Sequence, residues 1–348
     1  MIRILIVDDS KVVQAFLAHI LTSDPEMEVV GFANTGFEAI ELARINKPDI
    51  ITMDIHMPGM DGFEATRAIM ETIPTPIVIV SGSAKTRELA RLFRSVEAGA
   101  LAIIHRPPAL GHPMYSEAHK ELIQTVRLMS QVKVVKLFPK QVSKTIRPVE
   151  PVRLFNQDMR HVKIIAIGAS TGGPVALKEI LSGLPESLNV PLLIVQHIAA
   201  GFVKGFTEWL SATSGIRLKV AEAGESVKAG IGYIAPDNYH MGLTAGKKIL
   251  LCDEPPENGC RPSVGFLFRT VAQTMGQNAM GILLTGMGKD GASELKTMKE
   301  NGAVTIVQDE GSSVVFGMPG EALKIGAASQ VLSPSEIGRL VAGTRFRN

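Results

Sequence analysis

Residues 162–184 read VKIIAIGASTGGPVALKEILSGL. An apolar run enters a glycine-rich turn and leaves it as a segment with helical spacing. An apolar run without polar alternation implies a strand buried on both faces, hence a parallel sheet flanked by helices. The glycines around Ser170 suit a strand-to-helix turn, and Pro174 suits the first turn of the helix. Working outward, PLLIVQH (191–197) and GILLTGMGKDGASEL (281–295) carry similar apolar strands with polar ends, the second again running through glycines into a helix. The reading predicts an α/β unit with a mainly parallel sheet over 161–348.

The N-terminal part repeats the pattern in another register. Apolar runs at 2–7, 28–33, 49–53, 76–81 and 100–104 alternate with helical segments. That predicts a doubly wound, five-stranded parallel sheet in a first domain, 1–133, whose last helix spans 113–133. Pro139, Pro148 and Pro151 forbid a long helix in between, so 134–160 is expected to be a linker. Charge divides the same way: net −4 over 1–108, +6 over 109–163 and zero over 164–348.

Over all 348 residues the net charge is +2, which argues against a polyanionic partner such as nucleic acid. The 45% hydrophobic content excludes disorder over most of the length. Two cysteines, Cys252 and Cys260, are too few for a disulfide framework or zinc cluster and suit a reducing compartment. The opening MIRILIV meets Asp8 and Asp9 at once, unlike a signal peptide, and no apolar run has the length of a membrane span. A cytoplasmic protein without membrane insertion is expected.

Ligands of such sheets sit at the carboxyl ends of the strands. In the first domain those ends carry Asp8 and Asp9, then Asp54, then Ser81. Converging carboxylates repel unless a cation lies among them, and oxygen ligands in that number suit Mg²⁺. Asp54 could then accept a phosphoryl group, although alone it would read as a residue before the turn MPGMDG. In the second domain, Gly168 to Gly172 fits G-x-S-x-G, and Ser170 lies near a helix N-terminus that favours a developing anion. Capping of that helix by Ser170 or Thr171 is the bland alternative.

A nucleophilic serine needs a base. His197 ends its strand 27 residues later and shares the expected sheet edge; His240, in APDNYHMG, is harder to place. Asp290 follows another strand and could orient His197, or merely cap the next helix. The backbone N–H of Met287, in the same loop as Asp290, is a candidate oxyanion donor. The chain order Ser…His…Asp differs from that of the α/β-hydrolases, which points to convergence.

The combination VDDS…MDIHMPGMDG…VSGS resembles the response-regulator receiver domain across about residues 1–130. That resemblance implies Mg²⁺ held by Asp9, Asp54 and the backbone carbonyl of His56, with Asp8 in support. It implies Asp54 as phospho-acceptor and Ser81 as the switch hydroxyl. Arg106 stands where receivers usually have a Lys before Pro, and Ile103 where an aromatic is common; Arg keeps the charge but carries a planar fork. The stretches IGASTGGP, IVQHIAAGF, YIAPDNYH, RPSVGFLF, ILLTGMGKDGA, TIVQDE and VFGMP resemble the catalytic domain of the CheB family of chemotaxis protein-glutamate methylesterases. This second resemblance implies Ser170, His197 and Asp290 as triad and Met287 as oxyanion donor. It implies chemoreceptor cytoplasmic domains as substrate, methanol as product, possible deamidation of glutamines, and a chemotaxis histidine kinase as phosphodonor. It also implies that the receiver restrains the esterase until phosphorylated. IAAG and Gly265 depart from the family, which often has MPAG and an Asp.

Rival readings remain. IGASTGGP could cradle a dinucleotide, but the second strand ends in Gln196-His197 without the expected acid. A regulatory scaffold without esterase activity is disfavoured because all three triad positions are filled. A DNA-binding output is suggested only by the basic linker.

Overall fold

The computed structural model describes residues 1–82, 86–132, 134 and 159–346, without the side chains of 86–91. The chain divides into two compact units, Met1–Lys144 and Thr145–Asn348. Apart from 134, 159 and 160, the expected linker lies outside the described residues.

The first unit alternates strictly. Its elements are β1 (Ile2–Val7), α1 (Lys11–Leu21), β2 (Met27–Ala33), α2 (Gly36–Asn46), β3 (Ile50–Met53), α3 (Gly62–Thr72), β4 (Ile77–Ser81), α4 (Thr86–Glu97), β5 (Ala102–His105) and α5 (Tyr115–Met129). The sheet is parallel with order β2-β1-β3-β4-β5. Ile4, Leu5, Ile6, Ile50 and Ile51 are wholly buried, as apolar runs without alternation require. Ser10, Thr35 and Asp61 cap α1, α2 and α3 by accepting backbone N–H groups, and Asp61 completes a capping box with Glu64. α5 is shorter than the expected 113–133, starting after Pro113 and ending at Met129.

The second unit contains β6 (Ile164–Ala169), α6 (Gly173–Ser182), β7 (Leu192–Gln196), α7 (Val203–Thr213), β8 (Arg217–Val220), β9 (Ile231–Ile234), β10 (His240–Leu243) and β11 (Ile249–Cys252). Then come α8 (Val264–Met275), β12 (Ala279–Leu283), α9 (Ala292–Glu300), β13 (Val304–Gln308), α10 (Met318–Lys324), β14 (Gln330–Leu332) and α11 (Pro334–Gly343). Seven strands form one parallel sheet, β14-β13-β12-β6-β7-β9-β8, and β10 with β11 makes a separate antiparallel hairpin.

β6 therefore lies between β7 and β12. The chain winds outward from β6 on one side and later returns on the other, creating a topological switch point where a crevice opens beyond the strand ends. Gly168 in β6 allows α8 to approach: a Cβ there would lie 2.2 Å from Val264 Cγ1. Among the described residues no helix is long and apolar enough to cross a membrane.

Candidate functional sites: an acid pocket and a serine–histidine–aspartate edge

In the first unit, Asp8 follows β1 and Asp54 follows β3, the two central neighbours; Asp54 N–H donates to Val7 O at 2.9 Å. Both acids are buried and Asp9 is exposed, yet the three carboxylates present oxygens within 4.8 Å of one another. Arg106, just past β5, reaches across from the strand that bears Ser81 as its neighbour. Its N–H donates to Ser81 O at 2.8 Å. Its Nη2 lies 3.0 Å from Asp8 Oδ2 and 3.6 Å from Asp54 Oδ1. Burial, followed by the charge of Asp8, pushes the Asp54 carboxyl up to about 6 despite the opposing guanidinium. Burial also raises Asp8, against the Ser10 amide and Arg106. One cation shared by crowded carboxylates leaves negative charge in excess, so the donor set suits a hard divalent ion. Ser81 is fully buried, and His56 is exposed two residues beyond Asp54.

In the second unit, the strand register brings the candidate residues to adjacent ends. Ala169 pairs with Gln196, so Ser170 and His197 leave neighbouring strands side by side. The ladder continues past both: His197 N–H donates to Ala169 O at 2.9 Å, and Ser170 N–H to Thr285 O at 3.0 Å. Gln196 Nε2 holds the Ser170 carbonyl at 2.8 Å.

Asp290 does not cap α9. Gly291 occupies that cap without a side-chain hydrogen bond. Asp290 instead turns toward the start of α8. Its Oδ1 accepts from Ser263 Oγ at 2.9 Å, Gly265 N at 3.1 Å and Asn258 Nδ2 at 3.3 Å. Its Oδ2 accepts from Val264 N at 2.7 Å and meets His197 Nε2 at 3.0 Å. Burial alone would raise this carboxyl; the His197 contact and charge, with the α8 donors, hold it below the usual range. A Cβ on Gly265 would lie 2.9 Å from Glu294 Oε2 and 3.1 Å from Asp290 Oδ1, so a glycine there leaves both carboxylates room.

Burial disfavours a charged His197, but Asp290 and then Cys260 outweigh it and push the imidazole up to about 9. Nδ1 faces Cys260 Sγ at 3.8 Å. Among the described residues no hydrogen bond joins Ser170 Oγ to the His197 ring, a difference from the contact expected of a nucleophile and its base. Both ring nitrogens already have partners, Asp290 and Cys260.

Met287 is exposed at the mouth of the β12 loop, and among the described residues its backbone N–H has no hydrogen-bond partner. Next to it, Gly286 O accepts from Gly317 N and Met318 N, which pins the loop. A Cβ on Gly286 would lie 2.6 Å from Ser170 Cβ and 2.4 Å from Met318 Sδ. Gly286→Ala is therefore expected to cost about 1–3 kcal/mol by overpacking, read as a lowered melting temperature. Displacing Ser170 is expected to slow any reaction that its hydroxyl starts about 10²-fold as well. An unchanged rate in a folded variant would separate Gly286 from the site.

His240 is a support rather than a member of the edge. Its Nδ1 accepts Ser263 N–H at 3.2 Å, its Nε2 lies 3.1 Å from Pro255 O, and it stacks on Phe266. Nothing local in the sequence ties Ser263, Asn258 or Cys260 to this site. RPSV carries no catalytic residue type beyond a serine, and a cysteine count bears on disulfides and zinc, not on what a single thiol touches.

The acid pocket on this sheet order places the first unit among response-regulator receivers; the second is an α/β unit with hydrolase-type groups at its switch point. The sequence matches the Response regulator receiver domain family over residues 4–111 and the CheB methylesterase family over residues 165–341. A protein-glutamate methylesterase/protein-glutamine glutaminase of Geobacter metallireducens is 50% identical, over 97% of each chain. One from Syntrophus aciditrophicus is 49% identical, over 98% of this chain and 97% of its own. The crystal structure of the Thermotoga maritima CheB methylesterase catalytic domain aligns with a TM-score of 0.51 at 39% identity, covering 52% of this chain and 97% of that one. The chain belongs to the CheB methylesterase family, with a response-regulator receiver domain at its N-terminal side.

Proposed function

We propose that the protein hydrolyses glutamyl methyl esters on chemoreceptor cytoplasmic domains, and deamidates glutamines there, under control of phosphorylation at Asp54. The observation that carries this reading is the part-buried Asp290–His197 pair, 3.0 Å apart, brought together by the segments that follow β12 and β7, the two strands flanking β6 and Ser170.

Ser170 Oγ attacks the side-chain carbonyl of the modified glutamate, and His197 receives its proton through the nitrogen not engaged by Asp290. Asp290 holds the imidazole orientation and stabilises its charge. The tetrahedral oxyanion forms near the Met287 N–H and the α6 N-terminus, where one such donor is worth about 10²–10³ in rate. His197 returns the proton to the leaving oxygen, releasing methanol; ammonia leaves instead from a glutamine. Water then repeats the sequence on the acyl-serine and frees the carboxylate. Ser170 and His197 come into contact with substrate bound, as catalytic hydrogen bonds loose in the free enzyme do.

In the receiver, Asp9, Asp54 and the His56 carbonyl would hold Mg²⁺, with Asp8 in support. Bound there, the ion would supply charge neutralisation for a phosphoryl group; Asp54 takes that group from a chemotaxis histidine kinase. Arg106, already 3.6 Å from Asp54, supplies a fixed cation beside the phospho-acceptor, and Ser81 acts as the switch hydroxyl. Such a protein works in the cytoplasm, where receptor methylation segments are exposed.

The test is methanol release from methylated receptor, with and without a small-molecule phosphodonor and Mg²⁺. Wild type is expected to accelerate with the donor. Asp54→Asn is expected to keep its basal rate and lose the acceleration. A wild type indifferent to the donor would remove the regulatory half of the proposal; absence of methanol release would remove the catalytic half.

A further inference from the structure

The second unit holds a nucleophile that the proposed hydrolysis does not use. Cys260 is free and partly exposed, and its Sγ lies 3.8 Å from His197 Nδ1. The other ring nitrogen is tied to buried Asp290, itself fixed by Ser263, Asn258 and two α8 amides. The thiol, imidazole and carboxylate present atoms that all lie within 4.8 Å of one another. A sulfur facing one nitrogen of an imidazole whose other nitrogen is oriented by an acid is the arrangement that makes cysteines nucleophilic. Ser170, by contrast, makes no hydrogen bond to that ring among the described residues.

We propose that Cys260 is a reactive thiol that shares His197 with Ser170, and that its oxidation by hydroperoxides switches the hydrolase edge off. The switching half rests on the function proposed above; the reactivity half does not. In the step, Cys260 sulfur attacks one peroxide oxygen. The S–O bond forms, the O–O bond breaks, and the departing oxygen takes the thiol proton by way of His197. With hydrogen peroxide the products are a sulfenic acid and water; the sulfur loses two electrons and the peroxide gains them. The added oxygen stands against His197 Nδ1, the nitrogen that must receive the Ser170 proton. A cytoplasmic thiol can reverse the change by condensing with the sulfenate and then exchanging.

Cys252 provides an internal standard, being equally free and partly exposed but in β11, with His240 rather than His197 as its strand partner. Full-length protein is treated with iodoacetamide at neutral pH, and the labelling rates of the two cysteines are followed by peptide mass. Cys260 is expected to react about tenfold or more faster than Cys252. His197→Gln should remove that excess, and Ser170→Ala should preserve it. Equal rates at the two cysteines in wild type, or an excess that survives His197→Gln, would overturn the proposal. Should His197→Gln fail to fold, the two rates within wild type still decide. In the second arm, hydrogen peroxide is expected to abolish methanol release in wild type, with recovery on adding a reducing thiol, while Cys260→Ala keeps its own rate. Wild type that remains active with Cys260 sulfenylated would overturn the switch. A wild type without methanol release refutes the proposed hydrolysis and leaves the labelling result standing.

Discussion

Ser170→Ala is expected to lower methanol release by on the order of 10⁴–10⁶, with the melting temperature unchanged within a degree or so. The rate loss is large because the variant removes the hydroxyl that forms the proposed acyl intermediate. Ser170 stands at the end of β6 between the loops that carry His197 and Asp290. The stability effect is small because the Ser170 hydroxyl makes no hydrogen bond among the described residues. Its backbone, held by Thr285 O and Gln196 Nε2, is untouched by the substitution. The measurement is methanol release beside a thermal melt. A variant that retains even a tenth of the wild-type rate would show that another residue attacks the ester, and Cys260 would be the first to examine.

Asp290→Asn is expected to fail in both respects. All five contacts on the Asp290 carboxylate come from donors or from a ring nitrogen able to donate. An amide has one oxygen, so its NH₂ must face donors whichever way it turns. Removing one partner of a buried charge pair costs about 3–5 kcal/mol, and the melting temperature should fall accordingly. Hydrolysis should fall about 10⁴-fold because the imidazole loses the group that fixes its tautomer.

The pH dependence separates these roles. His197 is raised to about 9, so its contribution to stability is full below an ordinary imidazole value and is lost as pH rises through about 9. Asp290 is lowered, so its contribution is present above the ordinary carboxylate range and is lost only in stronger acid. The pair is thus most stabilising in mildly acidic solution, where His197 is charged and cannot act as a base. Wild-type methanol release should rise by roughly tenfold per pH unit from neutrality toward about 9, as neutral imidazole accumulates. In Asp290→Asn the inflection should move down toward the ordinary imidazole range on a much lower plateau. A wild-type profile flat from pH 6 to 9 would contradict this coupling.

Much of the molecule is legible in the chain because the governing patterns are local. The apolar runs at 2–7 and 164–169 have no polar alternation, so they are strands buried on both faces, and the helices between them follow from spacing and caps. Asp8, Asp54, Ser170 and His197 are legible because a polar residue directly after such a run has one place to go, the carboxyl edge of the sheet. Asp290 was legible only as a pair of alternatives, acid or helix cap. Choosing between them required knowing that β12 returns to lie against β6, and that α8 aims its N-terminal amides at the same point.

The chain order alone determined two α/β units, the acids of the first and the serine and histidine of the second, because these depend on side-chain periodicity and on what ends a strand. Tertiary structure alone decided which of those groups touch. Strand order around β6, the close approach of α8 at Gly168, and the arrival of Cys260 at His197 Nδ1 depend on contacts between segments tens of residues apart. No local propensity encodes such contacts; they arise when separate apolar faces find one common core.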